Sequence, residues 1–202
     1  MPPKAKSRRQ VLTEFRRAEI LDAALRLFGK KGFIPTRMED IADRAGLAKG
    51  TLYLYFSSKD AIYEAAVERA SIAQNEQSAT ATAAVSGVAA RLQAFLHARM
   101  SFWTSQPDLY RLLVTLGRER QFRRQTQTLI RALVGELLKI FAEGVTSGEL
   151  TDRDYTSAAW SVMDRMRGMN ERRIYGESSS TIDEDVADIL SMVLPFIGLP
   201  AK

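Results

Sequence analysis

Cysteine is missing from all 202 residues, and histidine occurs once, at position 97. The chain therefore has no disulfides and no thiolate metal ligands, and a single imidazole gives no basis for a transition-metal site; no metal is expected. No apolar run approaches the roughly 20 residues needed to cross a bilayer, so no membrane partner is expected. The basic start, MPPKAKSRRQ, leads into no apolar stretch. It does not read as a secretory signal, and the expected location is the cytoplasm. Glycine-rich phosphate loops, nucleophile elbows and histidine-rich metal sets are also lacking. An enzyme is not expected, nor is a cofactor. Period-two alternation and Asn-Gly or Asp-Gly hairpin signals are absent, which argues against strands.

What remains is a helical pattern. A hydrophobic content of 46% is enough for a buried core. The length suits either one large domain or one small domain plus one of medium size. Among the Ser/Thr residues that precede an acid by three positions, four stand at candidate helix starts: Thr36 with Glu39, Ser57 with Asp60, Thr151 with Asp154, and Thr181 with Glu184. Each fits a capping box, in which the hydroxyl accepts from a free N–H of the first turn. Helix starts are predicted near 37, 58, 152 and 182. The spacing predicts helices over 10–30, 37–45, 48–55, 58–80, 84–104, 108–117, 121–146, 152–174 and 182–197, about nine in all. The first should bury Phe15, Ile20, Ala24, Leu27 and Phe28. Small and polar residues over 74–90 suggest a junction between the fourth and fifth helices.

Charge is unevenly placed. Residues 1–60 carry 13 Lys/Arg against 7 Asp/Glu, a net of +6, and the rest carry 16 against 17, a net of −1. The basic excess lies wholly in the first third, which points to a polyanion partner for that part alone. Lys4, Lys6, Arg8 and Arg9 form a basic arm over 1–12. It either enters a minor groove or tracks phosphates, or it is a solvating tail.

The segment 36–63, TRMEDIADRAGLAKGTLYLYFSSKDAIY, carries the chemistry. Ile41, Ala42 and Ala45 form the inner face of a short helix. Gly46 supplies the turn, where a missing Cβ allows a left-handed backbone. Leu47 plugs the angle between two helices, and Leu52 and Phe56 point inward from the second. Lys49 and Tyr53 share an outer face, as do Thr51 and Tyr55. A short helix with that outer face suits the major groove. Leu54 either touches a thymine methyl or lies at the domain surface.

Thr36, IADRAG (41–46), Leu47, KGTLYLYF (49–56), SSK (57–59) and Ile62 together resemble the N-terminal domain of the tetracycline-repressor (TetR) family of bacterial transcription regulators. AEILDAALRLFGKKGF (18–33) resembles that family's first helix, so the likeness covers about 50 residues. It implies an all-α chain, with a three-helix helix-turn-helix domain over 13–60 and a fourth helix, 58–80, as connector. A helical ligand-binding and dimerisation domain would occupy 81–202. It also implies a homodimer on double-stranded DNA, more often a repressor, released by a small molecule. By resemblance Thr36 caps the second helix and contacts phosphate. Lys49, Gly50, Thr51 and Tyr53 sit in or over the groove. Tyr55 and Lys59 hold phosphates, and Arg37 is a further phosphate candidate. Ala48 stands where the family often has serine, so the recognition helix lacks its usual side-chain cap. Glu39 reads as the capping partner of Thr36.

The last two-thirds has no motif of that strength. Phe95, Trp103, Leu113, Phe141 and Trp160 fall mid-helix and are candidates for lining an apolar cavity, although ordinary core explains any one of them. The expected ligand is mainly apolar or aromatic. His97 either bonds a ligand or is exposed. The charge run Arg118–Arg124 either binds an anion or is a solvated helix start. Val186, Ile189, Leu190, Val193, Leu194 and Ile197 follow the three-four pattern of a packing stripe. With Met163 and Arg167 they are the candidate dimer interface, and the stripe equally fits packing on the chain's own core.

Overall fold

The computed structural model describes residues 7–200. Within them lie nine helices and no strand: α1 (Arg8–Lys31), α2 (Met38–Arg44), α3 (Lys49–Tyr55), α4 (Lys59–Ala83), α5 (Val88–Thr104), α6 (Pro107–Leu116), α7 (Arg123–Ser147), α8 (Thr156–Ile174) and α9 (Ile182–Ile197). The chain divides into two compact units, one up to Arg69 and one from Ala70, with the division inside α4. Lys4 and Lys6 of the basic arm lie outside the described residues; Arg8 and Arg9 open α1 and are exposed.

One of the four expected capping boxes forms as read. Thr181 Oγ1 accepts from Glu184 N at 3.2 Å, and the Glu184 carboxylate accepts from Thr181 N at 2.7 Å. The other three shift. Ser58, not Ser57, accepts from Ala61 N at 3.1 Å. Asp154 accepts from Thr156 N at 2.8 Å, so α8 starts four residues later than the Thr151 pairing predicts. Thr36 donates its hydroxyl backwards to Gly32 O at 2.6 Å, and α2 instead closes on Asp40, which accepts from Arg37 N at 3.0 Å. A Ser7–Gln10 box caps α1.

In the first unit Ile20, Ala24 and Phe28 of α1 pack with Ile41, Ala42, Leu52, Phe56 and Ile62, all buried. Phe15, expected on the inner face, is exposed, because the first turns of α1 run beyond that core. In the second unit the core joins α5, α7, α8 and α9 around Leu92, Leu96, Leu137, Val162 and Ile189. Gly144 permits a close approach: a Cβ there would lie 2.3 Å from Val88 Cγ2. The α9 stripe turns inward. Val186, Ile189, Leu190, Val193, Leu194 and Ile197 are all buried in this core, so the chain's own α5 and α8 use the face assigned to a partner chain. Asp185 closes the end of that packing, ion-paired to Arg173 and accepting from Ser180 Oγ at 2.7 Å.

Candidate nucleic-acid interface and cavity

Helices α2 and α3 meet across a turn whose geometry follows from Gly46. Its φ is +67°, and Leu47 N donates back to Ala42 O at 2.9 Å. Leu52 and Phe56 anchor α3 inside. The opposite side of α3 is open: Lys49 and Gly50 are exposed, Tyr53 is 44% exposed and Leu54 85%, while Thr51 and Tyr55 are half-buried. Ala48 stands at the N-cap with no side-chain acceptor.

Two expected phosphate contacts have other occupations. Thr36 is 1% exposed, and its hydroxyl is committed to Gly32 O. Lys59 Nζ donates to Phe33 O at 2.9 Å, Ile34 O at 2.8 Å and Thr36 O at 3.3 Å, and lies 4.7 Å from the Phe33 ring centre. It has three N–H donors, and three loop carbonyls take them. Lys59 thus clamps the α1–α2 loop and fixes where α2 begins. Arg37 is exposed at the N-cap of α2. Arg17, which the motif does not mark, donates to Tyr55 O at 2.7 Å and lies 4.1 Å from the Phe56 ring centre, tying α1 to the end of α3.

Glu39 has a role different from capping. Its carboxylate pairs with Lys49 across the α2–α3 turn. The hydrogen bond from Lys49 holds the Glu39 carboxyl below its usual range, and Glu39 raises the Lys49 ammonium in return. The Lys49 charge is therefore partly answered within the protein. Asp40 is lowered by the Arg37 N–H and by Lys31, which lies 3.0 Å away.

The second unit contains a cavity of about 110 Å³. Trp103 and Leu113 line it, as the sequence suggests, and their neighbours include Tyr110, Ile130 and Met166. Met163 and Arg167, expected at a dimer face, line it as well. Phe95, Phe141 and Trp160 do not. Phe95 and Phe141 are core residues, and Trp160 is 37% exposed at the surface. Three polar residues of the lining, Gln74, Arg99 and Asn170, are buried and were not singled out in the sequence. Each sits on its helix's inward stripe: Arg99 follows Leu92, Phe95 and Leu96 at helical spacing, Gln74 follows Ala66 and Ala70, and Asn170 follows Val162, Met163 and Met166. A polar residue in an apolar register is the signal that marks them.

A short, exposed, hydroxyl- and amine-bearing helix, braced across a glycine turn on an all-helical unit, defines a helix-turn-helix protein. Residues 20–66 match the family profile described as bacterial regulatory proteins, tetR family. The chain is 28% identical over 138 residues to the helix-turn-helix-type transcriptional regulator YfiR of Bacillus subtilis, covering 66% of this chain and 67% of that protein. Further curated regulators match at 42–46% identity over 49–54 residues, only 18–27% of their own length. Among solved structures, a TetR/AcrR-family transcriptional regulator from Thermobifida fusca is similar at 28% identity and a TM-score of 0.66, over 88% of this chain and 96% of that one. FadR of Bacillus subtilis, solved in complex with stearoyl-CoA, shares the fold at 19% identity and a TM-score of 0.78, over 87% and 96%. Residues 20–66 thus carry a helix-turn-helix that matches the tetR family of bacterial regulatory proteins, and the longer chain is similar to regulators of that kind.

Proposed function

We propose that this protein is a ligand-responsive transcriptional repressor that binds a pseudo-palindromic operator as a homodimer. The observation that carries the reading is α3, whose Lys49, Gly50 and Tyr53 project from a helix held rigidly by Leu52 and Phe56. In the groove Tyr53 and Thr51 meet base edges, Leu54 meets a thymine methyl, and Lys49, Arg37 and Tyr55 meet phosphates. Thr36 and Lys59 serve by shaping the loop and not by touching DNA. Two-fold pairing supplies two such helices, one helical turn of DNA apart.

The dimer face we assign is the exposed side of α8 and α9, where Trp160 and Met192 are each 37% exposed and Phe196 56%. Isolated surface apolar residues are common, but three large ones on two adjacent helices fit the apolar centre of an interface. The cavity of the second unit holds the effector. A small, mainly apolar molecule there releases DNA only to the extent that it favours one conformation over another. FadR, whose fold is similar, was solved with a ligand, which is in keeping with this reading.

Selection from a random duplex pool, followed by anisotropy titration, tests the DNA half. Lys49→Ala combined with Tyr53→Ala should weaken operator binding at least tenfold, since a good base contact is worth about 1–3 kcal/mol. The helical content and oligomeric state should be unchanged. Undiminished affinity would remove α3 from the groove.

A further inference from the structure

We propose that the cavity of the second unit takes an organic carboxylate, whose head accepts from Arg99 Nε and the Gln74 carboxamide while its apolar body lies against Trp103, Leu113 and Met166. This rests on the effector reading above and adds to it the charge of the ligand and the atoms that hold it.

Arg99 is 3% exposed, yet its guanidinium has only neutral hydrogen-bond partners. Nη1 donates to Gln74 Oε1 at 2.9 Å and Nη2 to Asn75 Oδ1 at 2.6 Å, and the guanidinium carbon lies 4.9 Å from the Phe95 ring centre. Nε has no partner. The acids of the adjoining surface are engaged elsewhere: Glu136 pairs with Lys139 at 2.8 Å and Glu143 with Arg91. Glu136 acts on Arg99 only through space. Burial pushes the guanidinium down to about 10, which leaves it cationic at neutral pH. A buried cation without an anion is unfavourable, and an incoming carboxylate removes that penalty.

The amides point the same way. The bond from Arg99 to Gln74 Oε1 fixes which end of the carboxamide faces the arginine. The Gln74 NH₂ is thereby turned away, buried and without an acceptor. Two unpaired donors, Arg99 Nε and Gln74 Nε2, thus flank a cavity whose described lining includes a second arginine, Arg167, and no acid. Asn170 Oδ1 is also buried without a partner, and a half-turn of its amide exchanges that acceptor for a third donor. The remaining lining is mostly apolar. The cavity, about 110 Å³, is smaller than the roughly 150 Å³ that holds benzene, and it is not closed, so a ring or short chain fills it and extends past its open side.

Calorimetric titration of the full chain with phenylacetate and octanoate, each against its uncharged primary amide at matched ionic strength, tests this directly. At least one acid should bind about tenfold or more tightly than its amide, the scale of a charge-assisted hydrogen bond. Gln74→Glu, nearly identical in shape, places a carboxylate beside Arg99. It should melt no lower than the parent chain and lose the acid affinity by a similar factor. Equal binding of acid and amide, no binding of either acid at millimolar concentration, or full acid affinity in Gln74→Glu would each overturn the proposal. The wild-type comparison decides even if the variant does not fold. Operator release is read separately. Acid binding that leaves DNA bound upholds the head-group assignment and removes the release mechanism. Release by the amide alone upholds the regulator and overturns the carboxylate site.

Discussion

Lys49 and Glu39, ion-paired to each other, set the charge of the proposed DNA face at the scale of single residues. A phosphate approaching Lys49 must displace the Glu39 carboxylate, and that carboxylate itself repels the duplex. Glu39→Gln removes both effects. It should tighten binding to random duplex roughly two- to fivefold at low salt, a gain that shrinks as salt rises. Anisotropy titrations at two salt concentrations check this, and an unchanged affinity would place Glu39 away from the DNA. The outward placing of Lys49 and Tyr53 was legible because helical spacing alone divides them from Leu52 and Phe56. The duties of Thr36 and Lys59 were not. Both depend on a loop path that brings the carbonyls of residues 32–36 to side chains up to 26 positions away.

Among the elements, α5, α7 and α9 show how far a periodic pattern reaches. Every expected helix exists, and α9 spans the predicted 182–197 because a capping box starts it and Gly198 stops it. The pattern identified the buried stripe of α9 but not what buries it. Intramolecular and intermolecular packing demand the same spacing. Gly144 is a second case: a glycine within α7 has no evident purpose until Val88 is found against it. Gly144→Ala forces α5 or α7 to move. It should destabilise the second unit by about 1–3 kcal/mol, the cost of overpacking. Denaturant unfolding of the variant measures this, and an unchanged midpoint would mean that the contact relaxes freely.

For the molecule as a whole, symmetry is the central question. A monomer offers one α3, and the proposed two-fold operator requires two. Phe196→Glu places a charge in the proposed interface without touching the buried stripe beneath it. It should weaken dimerisation at least tenfold by sedimentation, about 1.4 kcal/mol or more, while leaving thermal stability at high dilution unchanged. A dimer of undiminished strength would move the interface elsewhere. Operator affinity should fall together with dimerisation, since the two half-sites are then bound separately.

The sequence by itself determined the class of fold, the helix-turn-helix and the side of α3 that faces outward. These depend on local propensities, caps and spacings within a few turns of helix. Tertiary structure decided the partners. It gave Lys59 to a loop, Glu39 to Lys49, the α9 stripe to the chain's own core, and Gln74 and Arg99 to one cavity wall. Which distant groups meet depends on how the helices pack, and a one-dimensional pattern leaves that open.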